Sequence, residues 1–455
     1  LEVIMMGISS RWLVVSVALV CACRIEVEEP QQHGALAESF GAEGGGILVP
    51  DGAYRAEPPC PTPLCSGQPE GAPAVSPVDQ YPQLLVLDPQ TLRGPRARNA
   101  NPPELAPLSF RAQMSWLAGA REPFDFTRSW LAAWSSASRV GPAAAPVTPR
   151  PRATEVLHDG WLSAAGVPAS GADAGAAAAP PSWSVAPFEL IAVVNRVDLA
   201  AEACSGPAGE LRYVYAALDP QTSEVLDVTL ILEVPYPTTR PAADWARDWQ
   251  ELAGRAPAER PQALAELALA VQQAADPLRA RLRSNEIALA EPEQPSWELR
   301  EFRLAVQGGT LALVPAPLEF TPRSDVDPAL LSQHVLAHAD EIRSGAVSLP
   351  DELRAGAATT SGEDFSWPVL GVSEGLRQAF SRETCNGCHG GDTRTLPFRH
   401  IGPDPDLQRP AKLSRFLYDP PAESDDLRRR AARLEELAAT FCETPTDGAA
   451  GYFGP

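Results

Sequence analysis

The chain has 455 residues, enough for two or three domains with sizeable cores. Its apolar fraction of 44% and charged fraction of 21% are those of a folded protein and exclude a disordered one. A net charge of −21, with Lys412 the single lysine, argues against nucleic acid or an anionic membrane surface as partner.

Residues 1–23 have the form of a secretory leader. Arg11 precedes a short apolar run from Trp12 to Val20, too short to cross a bilayer as a permanent helix. Val20-Cys21-Ala22-Cys23 resembles a bacterial lipobox, in which cleavage leaves Cys23 as a lipid-bearing first residue. The expectation is export to the periplasm or cell surface, with a lipid anchor in the outer membrane. Residues 24–85, rich in Pro and Gly, read as a tether holding a folded body off that membrane. A second low-complexity stretch, "ASGADAGAAAAPPSW" (169–183), reads as a surface insertion.

Residues 86–350 read as an α+β domain. "PPELAPLSFRAQMSWLAGA" and "DFTRSWLAAWSS" carry helical apolar spacing, with Leu108, Met114, Leu117, Trp130 and Trp134 as buried positions. "PFELIAVVNRVDL", "LRYVYAALD" and "LDVTLILEVPYP" are strand-like, the last two joined through Pro-Gln-Thr-Ser as a hairpin. Helices are expected at "ADWARDWQELAG" and over the whole of "RPQALAELALAVQQAADPLRARL". "SWELREFRLAV" and "TLALVPAPLEF" form a second hairpin through Gly308-Gly309, and "DPALLSQHVLAHADEIRSG" is a further helix. Runs of strands and runs of helices without regular β-α alternation indicate an antiparallel sheet.

Residues 351–455 read as a small, mainly helical, cytochrome c-like domain. "GVSEGLRQAF" places Val372, Leu376 and Phe380 on one face. In "ESDDLRRRAARLEELAATFC", Leu427, Leu434, Leu437 and Phe441 form an apolar stripe. Between them lies "TCNGCHGGDT". Cys385, Cys388 and His389 have the C-x-x-C-H spacing of a covalent haem c site, two thiols for thioether bonds and an adjacent histidine for iron. The segment and the helix before it resemble mono-haem cytochromes c. No methionine follows the motif, so His400 is the first candidate for the sixth iron ligand. His334 and His338, four apart on one helix, come second; Met114 comes last; an open iron would suit a small ligand or peroxide. The other readings of the motif are a structural disulfide and a zinc site using Cys385, Cys388 and His400 with His389 or His334.

Export makes the compartment oxidising, so the remaining thiols should be paired. Cys60, Cys65, Cys204 and Cys442 can form two disulfides, Cys60–Cys65 being the local choice that leaves Cys204 to Cys442; the other two pairings stay open. Polar clusters at Asn195/Arg196/Asp198, Arg283/Asn285/Glu286 and Glu298/Arg300/Glu301 are read chiefly as fold-fixing ion pairs, and secondarily as the lining of a ligand cleft. Apolar alternation slips at the last cluster, which predicts a bulge or burial on both faces. No nucleophile elbow, Walker loop, H-E-x-x-H or dinucleotide fingerprint appears, so no common enzyme class is indicated.

"PFELIAVVNRVDLA", "GELRYVYAALD", "LRSNEIALAEP", "SWELREFRLAV", "ETCNGCHGGDT", "FRHI" and "LSRFL" together resemble an uncharacterised family of secreted or lipoprotein-like bacterial proteins, found notably in myxobacteria. The resemblance spans roughly residues 85–442 and implies export and a single architecture, but no reaction. The functional expectation is an exported, lipid-anchored mono-haem c protein that transfers electrons to an unidentified redox partner in the envelope. The alternative is a non-redox binding lipoprotein whose motif is a disulfide or zinc staple. If the chain is an enzyme, it is a haem-dependent oxidoreductase such as a peroxidase.

Overall fold

β-Branched and aromatic runs in the middle of the chain assemble into one eight-stranded antiparallel sheet. The computed structural model describes residues 80–93, 103–167, 182–287, 297–345, 348–360, 365–390, 392–393, 395, 399–418 and 426–442. The leader, Cys23, Cys60, Cys65, the tether up to residue 79 and residues 169–181 of the insertion lie outside the described residues.

The strands are β1 (Leu85–Val86), β2 (Phe188–Arg196), β3 (Glu210–Leu218), β4 (Val225–Pro235), β5 (Arg281–Ile287), β6 (Trp297–Gln307), β7 (Thr310–Ala316) and β8 (Ala358–Thr360). They lie in the order β1-β2-β3-β4-β5-β6-β8, and β7 also pairs with β6. β8 takes Trp297 to Leu299 and β7 takes Glu301 to Gln307, successive stretches of β6. The β6–β7 hairpin turns through Gly308 and Gly309 at φ 55° and 80°, the left-handed pair that a two-residue turn of the sheet's own twist requires.

One face of the sheet is apolar. Leu211, Tyr213 and Tyr215 of β3, Leu230, Leu232 and Val234 of β4, Leu282 of β5 and Phe302 of β6 are all buried there. Helices α1 (Phe110–Ala118) and α2 (Pro123–Ala132) supply aromatic partners: Phe110 meets Phe188 and Tyr215, and Trp130 meets Phe302. Ser109 caps α1 by accepting from Ala112 N at 3.2 Å, and Glu122 caps α2 by accepting from Asp125 N at 2.7 Å. Met114 is a fully buried core residue of α1. α3 (Ala242–Gly254) and α4 (Arg260–Ala274) extend the same core.

Three expected elements differ. The helix expected to run from residue 260 to 282 stops at Ala274, and the chain re-enters the sheet as β5. Asp276 caps a short turn at Pro277–Arg279 that redirects it, accepting from Leu278 N at 3.0 Å. The helix expected over 327–345 is two, α5 (Pro328–Ala337) and α6 (Ala339–Ser344), broken at His338 with φ −113° and ψ 28°. Phe441 lies beyond α9 (Asp426–Ala439) and is 88% exposed, so it is no part of the stripe of Leu427, Leu434 and Leu437. β6 is buried on both faces at its start and pairs with β5 without a bulge.

Residues after 350 are built onto this body. β8 extends the sheet, α9 joins the main core through Leu427, Leu434 and Leu437, and Cys442 is disulfide-bonded to Cys204.

Candidate functional site

The second face of the sheet is charged. Alternate residues of four neighbouring strands point to it: Val194 and Arg196 on β2, Glu210 and Arg212 on β3, Ile231 and Glu233 on β4, Arg281 and Arg283 on β5. Register sets opposite charges side by side, with Arg196 across from Glu210, Arg212 from Glu233, Glu233 from Arg281 and Arg283 from Glu301. Arg283 donates to Glu233 at 3.0 Å and to Glu301 at 3.1 Å, and Arg196 grips Asp198 at 3.0 Å. Burial raises the pKa of Glu210, but Arg212, Arg281, Arg196 and Arg283 outweigh it and hold the carboxyl down at about 2.

The cysteine motif closes over this face. α7 (Glu374–Glu383) buries Leu376 and Phe380 and ends at Thr384, whose extended backbone starts the one-turn helix α8 (Cys385–Cys388). Thr384 is a buried hub: its hydroxyl donates to Ser381 O at 2.7 Å and accepts from Gly387 N at 3.1 Å and from the Trp367 indole at 2.9 Å. A Cβ at Gly387 would collide with the Ser381 carbonyl, so only glycine fits between the two helices. The turn is pinned to the sheet side by Cys385 N donating to Thr321 Oγ1 at 2.9 Å and Asn386 Nδ2 donating to Thr359 O at 2.6 Å.

Between the turn and the sheet lies a cavity of about 550 Å³, within the range of small-molecule sites. Cys385, Cys388, His389 and His400 all line it, with Phe416 and with Asp426 and Arg430 of α9. Cys385 and Cys388 are free thiols. His389 stacks on the buried Trp297 with ring centroids 5.4 Å apart, and Trp297 donates its indole N–H to Asn285 at 2.6 Å. The His400 ring lies 4.5 Å from that of His389, and Phe416 lies 5.2 Å from His400. His400 Nε2 is 3.2 Å from Cys388 Sγ, and Nδ1 is 3.1 Å from Ser414 Oγ and 3.5 Å from Thr395 Oγ1.

Burial of the motif favours neutral forms. Burial raises the Cys385 thiol, an effect opposed by Arg283 and Thr321. Burial, then the neighbouring Cys385, pushes Cys388 up to about 12. Burial, followed by His389 and Arg430, drops His400 well below the ordinary imidazole range. At neutral pH the pair is therefore a thiol beside a neutral imidazole.

Four predicted residues thus come together at one cavity, while others stay apart. His334 and His338 face each other with centroids 4.5 Å apart, and His338 pairs with Glu341 at 2.7 Å. Neither lines the cavity. Asn195 is a structural residue, accepting from the Tyr236 hydroxyl and Val197 N, both at 2.9 Å. Glu286, Glu298 and Arg300 belong to a buried quartet completed by Arg150, which reaches Glu298 and stands 3.8 Å from Glu286. Arg196, Arg283 and Asn285 line the cavity as well as taking part in the ion pairs and hydrogen bonds of the sheet. Sequence reasoning missed Trp297, Thr321, Ser414, Phe416 and Arg430; only the i, i+2 charges of "GELRY", beside a segment read as a strand, carried a signal, that of one polar face.

The donor set fits a covalently held haem: two unpaired thiols and an imidazole on one turn open to a single cavity with guanidinium groups in its wall. A macrocycle does not fit between His389 and His400 as they stand, because two metal–imidazole bonds of about 2 Å place such ring centres about 6 Å apart. Among the described residues, no three His, Cys, Asp or Glu side chains converge as ready-made metal ligands. No protein-family model, curated protein or solved structure matches this chain.

Proposed function

We propose that the chain is an exported, lipid-anchored mono-haem c protein that carries electrons in the cell envelope. Cys385 and Cys388 would hold the haem by thioether bonds, and His389 would ligate its iron. The observation that carries this reading is the pair of free thiols lining the same cavity as His389. Bound there, the haem would supply a one-electron iron couple. The chain's own part is to fix the imidazole by its stack on Trp297 and to hold the motif turn by the Thr384 hub. Arg196, Arg212 and Arg283 also line the cavity, paired there with Asp198, with Glu210 and with Glu233 and Glu301 respectively. The cytochrome c-like unit expected over 351–455 would here be laid against an antiparallel sheet, with β8 part of that sheet.

The free thiols favour this reading over a disulfide staple. The test is expression of the full chain in a periplasm with haem-maturation machinery, followed by a reduced-minus-oxidised spectrum and an intact mass. A sharp α-band and the mass of one covalent haem are expected. A colourless protein of unmodified mass from cells that mature a control cytochrome would end the haem reading.

A further inference from the structure

We propose that His400, oriented by Ser414, is a positioning residue for the Cys388 thiol, aligning its sulfur for bond formation with an electrophilic carbon in the cavity. This deepens the haem reading, on which its biological meaning rests, and it reassigns His400 from iron ligand to partner of the sulfur.

Three observations converge. Both ring nitrogens of His400 are engaged, Nε2 with Cys388 Sγ at 3.2 Å and Nδ1 with Ser414 Oγ at 3.1 Å. The ring is held in place, with His389 at 4.5 Å and Phe416 at 5.2 Å, and Ser414 N donates to the His400 carbonyl at 2.8 Å. The arrangement is that of nucleophile, partner and orienting group found where side chains are set up to form covalent bonds. Cys385 differs: its backbone N–H donates to Thr321 Oγ1 at 2.9 Å, and Arg283 and the Thr321 hydroxyl act on its thiol. The two thiols of one motif are thus chemically unequal. In the bond-forming step the Cys388 S–H adds across a vinyl C=C of the haem. Sulfur bonds to one carbon, hydrogen ends on the other, and no net oxidation or reduction occurs.

The experiment follows each thiol separately. The haem-free full chain is treated with iodoacetamide, and peptide mass spectrometry gives the alkylation rates of Cys385 and Cys388 in wild type, His400→Gln and Ser414→Ala. H400Q should slow Cys388 about tenfold, the scale of one hydrogen bond, and S414A about threefold, while Cys385 changes less than about twofold and serves as the fold control. Equal changes at both thiols, or a Cys388 rate that does not fall, would overturn the proposal. In cells with maturation machinery, H400Q should yield haem bound through Cys385 alone and a red-shifted α-band. Two intact thioethers with conversion to a high-spin spectrum would instead make His400 the iron ligand and overturn the inference. A wild type without haem would defeat the haem reading alone, and the alkylation rates would still decide the role of His400.

Discussion

Removing the Cys204–Cys442 disulfide should destabilise the whole body, because it closes a loop with a sequence separation of 238. In the chain-entropy description, a loop of that length restricts the unfolded state by about 18 cal/mol/K, or about 5.5 kcal/mol at 25 °C. That is a ceiling, since a compact unfolded chain already holds its ends closer, and we expect about 3–5 kcal/mol. The bridge fastens the end of α9, whose Asp426 and Arg430 wall the cavity. α9 has other anchors: Leu427, Leu434 and Leu437 are fully buried, and Arg247 donates to the carbonyls of Ala438 at 3.1 Å and Thr440 at 2.9 Å. The helix should therefore stay docked in the folded state, and the effect should fall on the unfolded ensemble.

The assay is urea unfolding of the full chain carrying Cys204→Ser and Cys442→Ser together, so that neither sulfur is left unpaired. The midpoint should fall, native far-ultraviolet dichroism should be unchanged, and reductant should lower the wild type to the variant. A loss under about 1 kcal/mol, or a wild type indifferent to reductant, would refute the reasoning.

Other consequences of the charge pattern can be measured directly. Glu210 has a folded pKa near 2 against an ordinary 4.5, so its contribution is present above pH 4.5 and lost as pH falls towards 2. Arg212→Gln should raise the midpoint of acid unfolding, and an unchanged midpoint would mean the ladder of charges does not govern acid stability. Glu286 behaves oppositely: burial, and then Glu298, raise its pKa despite Arg300 and Arg150, so its ionisation costs stability as pH rises above the ordinary carboxyl range. Glu286→Gln should gain stability relative to wild type at pH 8 and show no gain at pH 4; a pH-independent difference would contradict that assignment. Arg300→Met strips Glu298 of a buried partner and should cost about 3–5 kcal/mol in thermal or urea unfolding, with a near-neutral result dismissing the quartet as structural.

Most of the sheet was legible because its strands are apolar on at least one face with period two. "LRYVYAALD" and "LDVTLILEVPYP" coincide with β3 and β4, and the glycine pair marks the β6–β7 turn. β5 was not legible. In "RLRSNEI" its apolar face offers only Leu282 before Ser284 and Glu286, and its other face is Arg281, Arg283 and Asn285. Such a segment is stable as a strand only because β4 and β6 bring Glu233 and Glu301 to its arginines. That complementarity is set by register across residues 50 and 18 positions away, and no local pattern encodes it. The continuous helix read through Asp276-Pro277 failed for the same reason, since helical propensity before the proline hid a strand whose support is tertiary.

The cysteine motif was legible in composition but not in setting. A C-x-x-C-H spacing announces two thiols and an imidazole on one turn; it does not announce what they face. Here they face a charged sheet, an uncommon surface to bury, and the two facts explain each other. A sheet with one apolar face packs its core helices on that side, so the opposite face must be either wet or covered by polar partners. Self-pairing of Arg and Glu along β2 to β6 lets that face be half-buried without orphaned charge, and the short C-terminal elements then roof it with a gap of about 550 Å³. A wholly apolar face would have drawn the roof down into contact and left no room beside Cys385 and Cys388. Of this ladder the sequence singled out only Arg196, Arg283 and Glu301, yet Arg212 and Arg283 both line the cavity with the thiols, which is why they belong in any mutational study of Cys385 and Cys388.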